Sequence, residues 1–256
     1  MRFGIYTSGR VKSNFASLLI DNGINISAVY CDDFQKCVES AVGLGCRACY
    51  SVGELVGKSD AVVISVEDEH IRKAVLKLAR EDMSEKAICV ESSCAVADVL
   101  LEVDAAGHLS IHVPGGDFVY VEGMGTGYRQ VREYIESIGA KVIKISPDAK
   151  ESYDLAMFFA ECGISTVIET ARQLMGDMGG ADNFKNIIQA NVDKSISRGE
   201  VTGVVPDYDI SAIRRQVDCL SGNNEAVYKT LVLKAVEFAD LSADEKDRIK
   251  SIIIGR

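Results

Sequence analysis

The sequence predicts an α/β fold in which a mainly parallel sheet domain, residues 1–146, is followed by an all-helical C-terminal domain, residues 147–256. Three observations carry this. Short apolar runs alternate with helix-period segments as far as Ile145, the pattern of repeated βαβ units. One run, Ala61-Val62-Val63-Ile64-Ser65, is apolar at consecutive positions, as expected of a strand buried on both faces. Beyond Ser146 no comparable strand signal follows.

Taken in order, residues 2–6 form the first strand, which runs into the turn Thr7-Ser8-Gly9-Arg10-Val11-Lys12 and a helix with apolar residues over 15–20. Residues 25–30 read as a second strand, and Cys31-Asp32-Asp33 leads into a helix reaching about residue 42, with Asp33 placed to cap it. A short strand around 48–50 precedes the strand 61–65, and residues 69–80 form an amphipathic helix on Ile71, Val75, Leu76 and Leu78. A strand at 86–90 and a helix at 96–103 come next. Residues 109–113 are strand-like and break at Pro114-Gly115-Gly116. A loop through Phe118, a helix over 128–138 and a strand over 141–145 complete the first domain.

At the change of pattern, Ser146 is a good N-cap, Pro147 suits the first helical position and Asp148 the first turn. The helix they open is long, reaching about Met175. Its apolar members Leu155, Phe158, Phe159, Ile164, Val167, Ile168, Ala171 and Leu174 spread around the axis, which predicts burial at a domain or subunit junction. Further helices are expected at 183–197, 210–220, 225–238 and 243–254, the last opened by the capping-box spacing Ser242-Ala243-Asp244-Glu245.

Composition narrows the function classes. A chain of 256 residues that is 47% hydrophobic can bury a full core. No apolar run approaches the roughly 20 residues of a membrane span, and a strand starting at residue 2 leaves no room for a signal peptide, so a cytoplasmic protein is expected. The net charge of -10, with no lysine and arginine block, argues against nucleic acid or an anionic membrane and leaves small molecules or another chain as partners. Of the eight cysteines only Cys46-Arg47-Ala48-Cys49 has a suggestive spacing; His70, His108 and His112 lie elsewhere, and no metal is expected.

In a dinucleotide-binding fingerprint the first glycine makes the tight turn, the second admits the pyrophosphate and the third lets helix and strand pack closely. Only the second is present, as Gly9; Thr7 and Lys12 stand at the other two positions. Thr7, Ser8, Gly9, Arg10 and Val11 are therefore the candidate cofactor turn, the alternative being an ordinary βα turn. Asp32, at the end of the second strand, is placed to bond ribose hydroxyls, and its charge disfavours a 2′-phosphate, favouring NAD over NADP. Ser65 and Val66, and Ser92 and Ser93, sit at strand carboxyl ends, where ligands bind in open parallel sheets. Ser93 is a candidate donor to a substrate carbonyl or carboxylate, and His112 a candidate acid/base group. Lys150, with Asp154 one turn later, is the candidate proton donor, the alternative being a surface ion pair.

The chain as a whole resembles two-domain proteins with a Rossmann-like N-terminal half and a helical C-terminal half of unassigned function, related to ketopantoate reductases and more distantly to phosphogluconate and hydroxyacid dehydrogenases. The resemblance rests on Gly9-Arg10-Val11, on Asp60-Ala61-Val62 through Val66-Glu67-Asp68, on Ser93, and on Ser110-Ile111-His112 leading to Phe118. It continues in Lys150-Glu151-Ser152-Tyr153 with Ala156, and in Arg198-Gly199-Glu200 with Tyr228. It implies an NAD(P)-linked, ketopantoate-reductase-like enzyme reducing a small keto acid, dimeric through the helical domain. Lys150 would then be the proton donor at the domain junction, and the nicotinamide would lie near Val66 and Ser93. The chain departs from the family at Thr7 and Lys12, at Glu91-Ser92-Ser93-Cys94, and at Asp154-Leu155. Glu91 also puts a negative charge where an acidic substrate should bind. These departures support an alternative expectation, a non-catalytic dimeric binding or regulatory protein with a degenerate cofactor site.

Overall fold

Strand β1 (Phe3–Thr7) is buried at every position, as a strand covered by helices on both faces must be. The computed structural model describes residues 1–9, 13–176 and 181–255, the side chains of 181–183 excepted. Arg10, Val11 and Lys12 of the expected cofactor turn lie outside the described residues. The chain divides into two compact units, Met1–Cys162 and Gly163–Arg256.

In the first unit β1 is followed by α1 (Asn14–Asp21), β2 (Ile26–Cys31), α2 (Phe34–Leu44), β3 (Arg47–Ala48), α3 (Val52–Gly57), β4 (Ala61–Ser65), α4 (Asp68–Leu78) and β5 (Met83–Glu91). A 3-10 turn, Ala97–Leu100, leads to β6 (Ala105–Gly115), β7 (Phe118–Gly125), α5 (Thr126–Ser137), β8 (Lys141–Lys144), a second 3-10 turn at Pro147–Ala149, and α6 (Lys150–Phe158). The strands form one eight-stranded sheet in the order β3-β2-β1-β4-β5-β6-β7-β8. β1 to β6 run parallel; β7 pairs antiparallel with β6, and β8 parallel with β7. The chain moves outward from β1 to β3 and returns on the other side of β1 at β4, so the strand order reverses between β1 and β4.

Alternation along the strands divides the core between the two faces. Phe3 and Ile5 pack with Phe15 and Leu19 of α1, whereas Tyr6, Val62 and Ile64 pack with Leu55 of α3 and with Val75 and Leu78 of α4. The chain approaches itself closely at Gly107 of β6, where an added Cβ would lie 2.3 Å from the Tyr128 backbone nitrogen, so α5 can lie directly on the sheet only over a glycine.

Several expectations are corrected. α3 was not expected, although Ser51-Val52-Gly53-Glu54 has capping-box spacing: Ser51 Oγ accepts the Glu54 N–H at 3.1 Å, and Glu54 accepts the Tyr50 N–H at 3.0 Å. The stretch read as a loop through Phe118 is strand β7. The strand expected to break at Pro114 runs on to Gly115, and Gly116-Asp117 makes the turn back into the sheet, with Gly116 at φ 64°. The expected helix over 96–103 is only a 3-10 turn, its first N–H (Ala97) held at 2.6 Å by the buried Glu122 carboxylate.

The helix expected from Ser146 starts as a 3-10 turn and passes through α6 into a π-helical stretch, Phe159–Gly163. Its apolar side chains in this unit, Leu155, Phe158 and Phe159, are more than half exposed in the single chain.

The second unit is all-helical: α7 (Ile164–Met175), α8 (Ala181–Arg198), α9 (Ile210–Cys219), α10 (Gly222–Phe238) and α11 (Ala243–Ile254). Its core gathers Ile213, Val217, Val232, Val236, Ile249 and Ile253. The capping box at Ser242 and Glu245 forms as its spacing predicts. Ile164 and Leu174 of α7 are exposed in the single chain. No described helix is long and apolar enough to cross a membrane.

Candidate active site

A cavity of about 580 Å³ opens at the carboxyl ends of β1, β4, β5 and β6, over the point where the strand order reverses. Thr7, Ser8 and Gly9 line it from β1, Ser65, Val66, Glu67 and Asp68 from β4, and Glu91, Ser92 and Ser93 from β5, with His112 of β6 and Asn14 of α1. Eight residues nominated from the sequence therefore share one cavity: Thr7, Ser8, Gly9, Ser65, Val66, Ser92, Ser93 and His112. Asp32, Lys150 and Asp154 do not line it.

The start of α6 docks beside this cavity. Lys150, Tyr153 and Asp154 stand at i, i+3 and i+4, so they share one helix face, and each reaches a strand end. Lys150 is 1% exposed, and its Nζ donates to the Ser92 carbonyl at 3.0 Å and to Ser110 Oγ at 2.9 Å. This is not the surface ion pair considered above. Burial lowers the Lys150 pKa, with the carboxylates of Glu122, Asp154 and Asp68 among the charges that oppose the fall. Asp154 accepts a short hydrogen bond from Ser93 Oγ.

The Tyr153 hydroxyl lies 2.7 Å from His112 Nδ1, and the two rings meet edge to face. Burial pushes His112 below the ordinary imidazole pKa; Glu161 and Asp154 work against this, and Lys150 adds to it. Burial raises the Tyr153 phenol, so it keeps its proton at neutral pH. Ser92 takes the local role: its Oγ accepts the N–H groups of Cys94 and Ala95 at 3.2 and 3.0 Å and donates to Asp68 at 3.1 Å.

Around the β1 turn, Gly9 N–H points to Thr7 Oγ1 at 3.4 Å, and Ser8 Oγ donates to Glu67 at 2.7 Å. Among the described residues, an added Cβ at Gly9 would meet Lys36 Cδ at 3.9 Å, an ordinary contact distance. Ser13 caps α1, accepting the Ala16 N–H at 2.9 Å. Glu91 reaches across from β5, taking Ser13 Oγ at 2.5 Å and the Phe15 N–H at 2.9 Å.

Asp32 sits at the end of β2 within a small charged cluster. It pairs with Lys73 at 2.6 Å and with Lys77, and accepts from the hydroxyls of Tyr6 and Tyr30 at 3.2 and 3.3 Å. Burial works to raise its pKa, but the two lysines prevail and hold it at about 2. Its charge is thus offset by two cations, which removes the ground for expecting it to repel a phosphate. Asp33 caps α2 as expected, accepting the Gln35 N–H at 3.0 Å. Cys46 and Cys49 are free thiols, both pushed up to about 11 chiefly by burial, which makes them poor nucleophiles.

Sequence reasoning did not nominate Tyr153, Ser110 or Glu122. Tyr153 carried a signal, since it stands three residues after Lys150 on the same helix face. Ser110 stood in the expected strand 109–113, two residues before His112, whereas Glu122 carried none, because the strand β7 that holds it was not expected.

The order β3-β2-β1-β4-β5, with a cavity over the β1 and β4 ends, is the Rossmann-like arrangement, here joined in one chain to an all-helical unit. Solved structures share that fold. A candidate NADP oxidoreductase from Bacteroides fragilis aligns over 92% of this chain and 98% of its own, with a TM-score of 0.76 and 16% identity. A protein from Thermotoga maritima aligns over 93% and 98%, with a TM-score of 0.67 and 18% identity. An imine reductase from Myxococcus stipitatus in complex with NADP+ aligns over 100% and 93%, with a TM-score of 0.57 and 16% identity. Residues 118–235 match a family described as a domain of unknown function, DUF2520. No curated protein matches the chain.

Proposed function

We propose that the chain is an NAD(P)-dependent oxidoreductase that reduces a small carbonyl or imine compound in the cavity above β1 and β4. One observation carries this reading: the Gly9 turn and His112, the latter backed by Tyr153, line the same cavity at the switch point of the sheet. The similar folds include proteins described as NADP-linked or as imine reductases, which supports the class of chemistry without singling out a keto acid.

The residues present fit a dinucleotide at the turn. Among the described residues nothing lies closer than 3.9 Å to where a Gly9 side chain would start, which suits close approach by a ligand. When bound, the cofactor supplies a hydride to the substrate carbon.

His112 gives a proton to the substrate oxygen or nitrogen from Nε2, the ring nitrogen not engaged by Tyr153. The Tyr153 hydroxyl oxygen accepts from Nδ1–H both of the imidazolium and of the neutral tautomer left once Nε2 has given its proton, so it holds the ring through the step. Lys150 acts from behind the cavity wall. It ties α6 to the ends of β5 and β6 through Ser92 and Ser110, and so fixes the positions of Ser93 and His112. Ser93, held by Asp154, orients the substrate.

We also propose that the sheet unit carries the cofactor and that the helical unit pairs two copies into a homodimer. The support is the exposed apolar surface of the helical unit, including Ile164, Leu174, Ile187 and Phe238. Calorimetric titration with NADH and NADPH, followed by turnover assays on ketones, keto acids and cyclic imines, tests the reading. Binding of a dinucleotide together with its consumption by one substrate class supports it, and binding of neither dinucleotide removes it.

A further inference from the structure

Among the described residues, four hydrogen-bond donors around the glycine turn are engaged within the chain, and two of their acceptors are carboxylates. Ser8 Oγ donates to Glu67 at 2.7 Å, Gly9 N–H to Thr7 Oγ1 at 3.4 Å, Ser13 Oγ to Glu91 at 2.5 Å and Phe15 N–H to Glu91 at 2.9 Å. The first turn of a helix attracts an anion because its N–H groups lack partners and the helix dipole is positive at that end. At α1 the anion is Glu91, reaching from a strand 76 residues along the chain. Both of its oxygens are used, and it lines the cavity that holds the Gly9 turn.

We infer that Glu91 is an internal competitor for the cofactor pyrophosphate. It satisfies the positive end of α1 while the site is empty and must give way, or tolerate a second anion beside it, when a dinucleotide binds. This rests on the dinucleotide reading above and deepens it. Glu91 becomes the residue that sets how tightly this particular site holds its cofactor.

The test compares the full-length wild type with Glu91→Gln, which keeps the shape and an acceptor for the Phe15 N–H but removes the charge. NADH and NADPH are titrated by calorimetry at low and at high salt, with adenosine as a phosphate-free probe. Removing one charge near a pyrophosphate should tighten dinucleotide binding by roughly tenfold at low salt, and the gain should shrink at high salt. Adenosine binding should not change. Melting curves establish that the variant is folded, and Glu91→Ser, which also removes the charge, replaces it should Gln not be tolerated. Wild-type binding with no gain in either charge-removing variant, or a gain equal for adenosine, overturns the inference and leaves the dinucleotide reading standing. Absence of binding to wild type and variants alike overturns both.

Discussion

The hydroxyl of Tyr153, in the second turn's reach of α6, lies 2.7 Å from Nδ1 of His112, near the end of β6, joining two residues 41 positions apart at the wall of the cavity. Because one ring nitrogen is fixed in this way, the other is left for chemistry. His112→Gln should therefore abolish reduction while leaving dinucleotide affinity within about twofold. Tyr153→Phe should keep the ring but release it, lowering kcat by roughly 10 to 100-fold, within the range that general acid catalysis contributes. Steady-state kinetics with a direct binding measurement separate the two effects.

The same histidine sets a pH dependence. Reduction needs the imidazolium, and burial holds the His112 pKa below its ordinary value, so kcat/KM for reduction should fall as pH rises through a midpoint below about 6.5. The sign for stability is opposite. Between the lowered folded pKa and the ordinary unfolded one, the unfolded chain binds the extra proton, so stability rises with pH across that window and is lost as pH falls below about 6.5. Thermal melts from neutral to mildly acidic pH should show this loss in the wild type and a smaller one in His112→Gln.

Lys150 is a buried cation held by two oxygens, so its removal leaves polar groups without their partner. Lys150→Met, which preserves volume, should destabilise the fold by about 1–3 kcal/mol, the usual cost of orphaning buried hydrogen-bonding groups. It should also lower kcat at least tenfold, because Ser93 and His112 lose their fixed positions, while dinucleotide affinity stays nearly unchanged. Lys150→Arg, too large for the site, should not rescue turnover. Denaturant unfolding and kinetics on the same preparations check both parts.

Exposed apolar groups on α7, α8 and α10 predict that the chain is not monomeric. Light scattering at micromolar concentration should give twice the 27.7 kDa chain mass. Ile187→Glu and Phe238→Glu, both more than half exposed in the single chain, should shift the mass to the monomer without lowering its helix content.

Most of the sheet was legible because strands such as 61–65 are apolar without interruption, and only two-sided burial produces that pattern. The site was legible in outline from strand ends alone: Ser65, Ser93 and His112 were nominated by position and do line one cavity. What the sequence hid was long-range pairing. Glu91 reads as a misplaced charge until α1 is seen to supply it with the Phe15 N–H and the Ser13 hydroxyl, and Asp32 reads as a charge that repels a 2′-phosphate until Lys73 and Lys77, more than 40 residues away, are seen beside it. Strand β7 was missed because glycines at 116, 123 and 125 look like loop residues, although Gly123 and Gly125 let β7 and the start of α5 lie against β6.

The central claim is that the cavity over β1 and β4 binds a nicotinamide dinucleotide at Gly9. Calorimetric titration of NADPH and NADH into wild type and Gly9→Ala tests it directly, since among the described residues an alanine Cβ meets nothing closer than 3.9 Å, and melting curves check that the variant stays folded. Saturable binding to the wild type, weakened several-fold in Gly9→Ala, is the predicted result. Binding of neither dinucleotide to the wild type, or equal binding by both proteins, would contradict it.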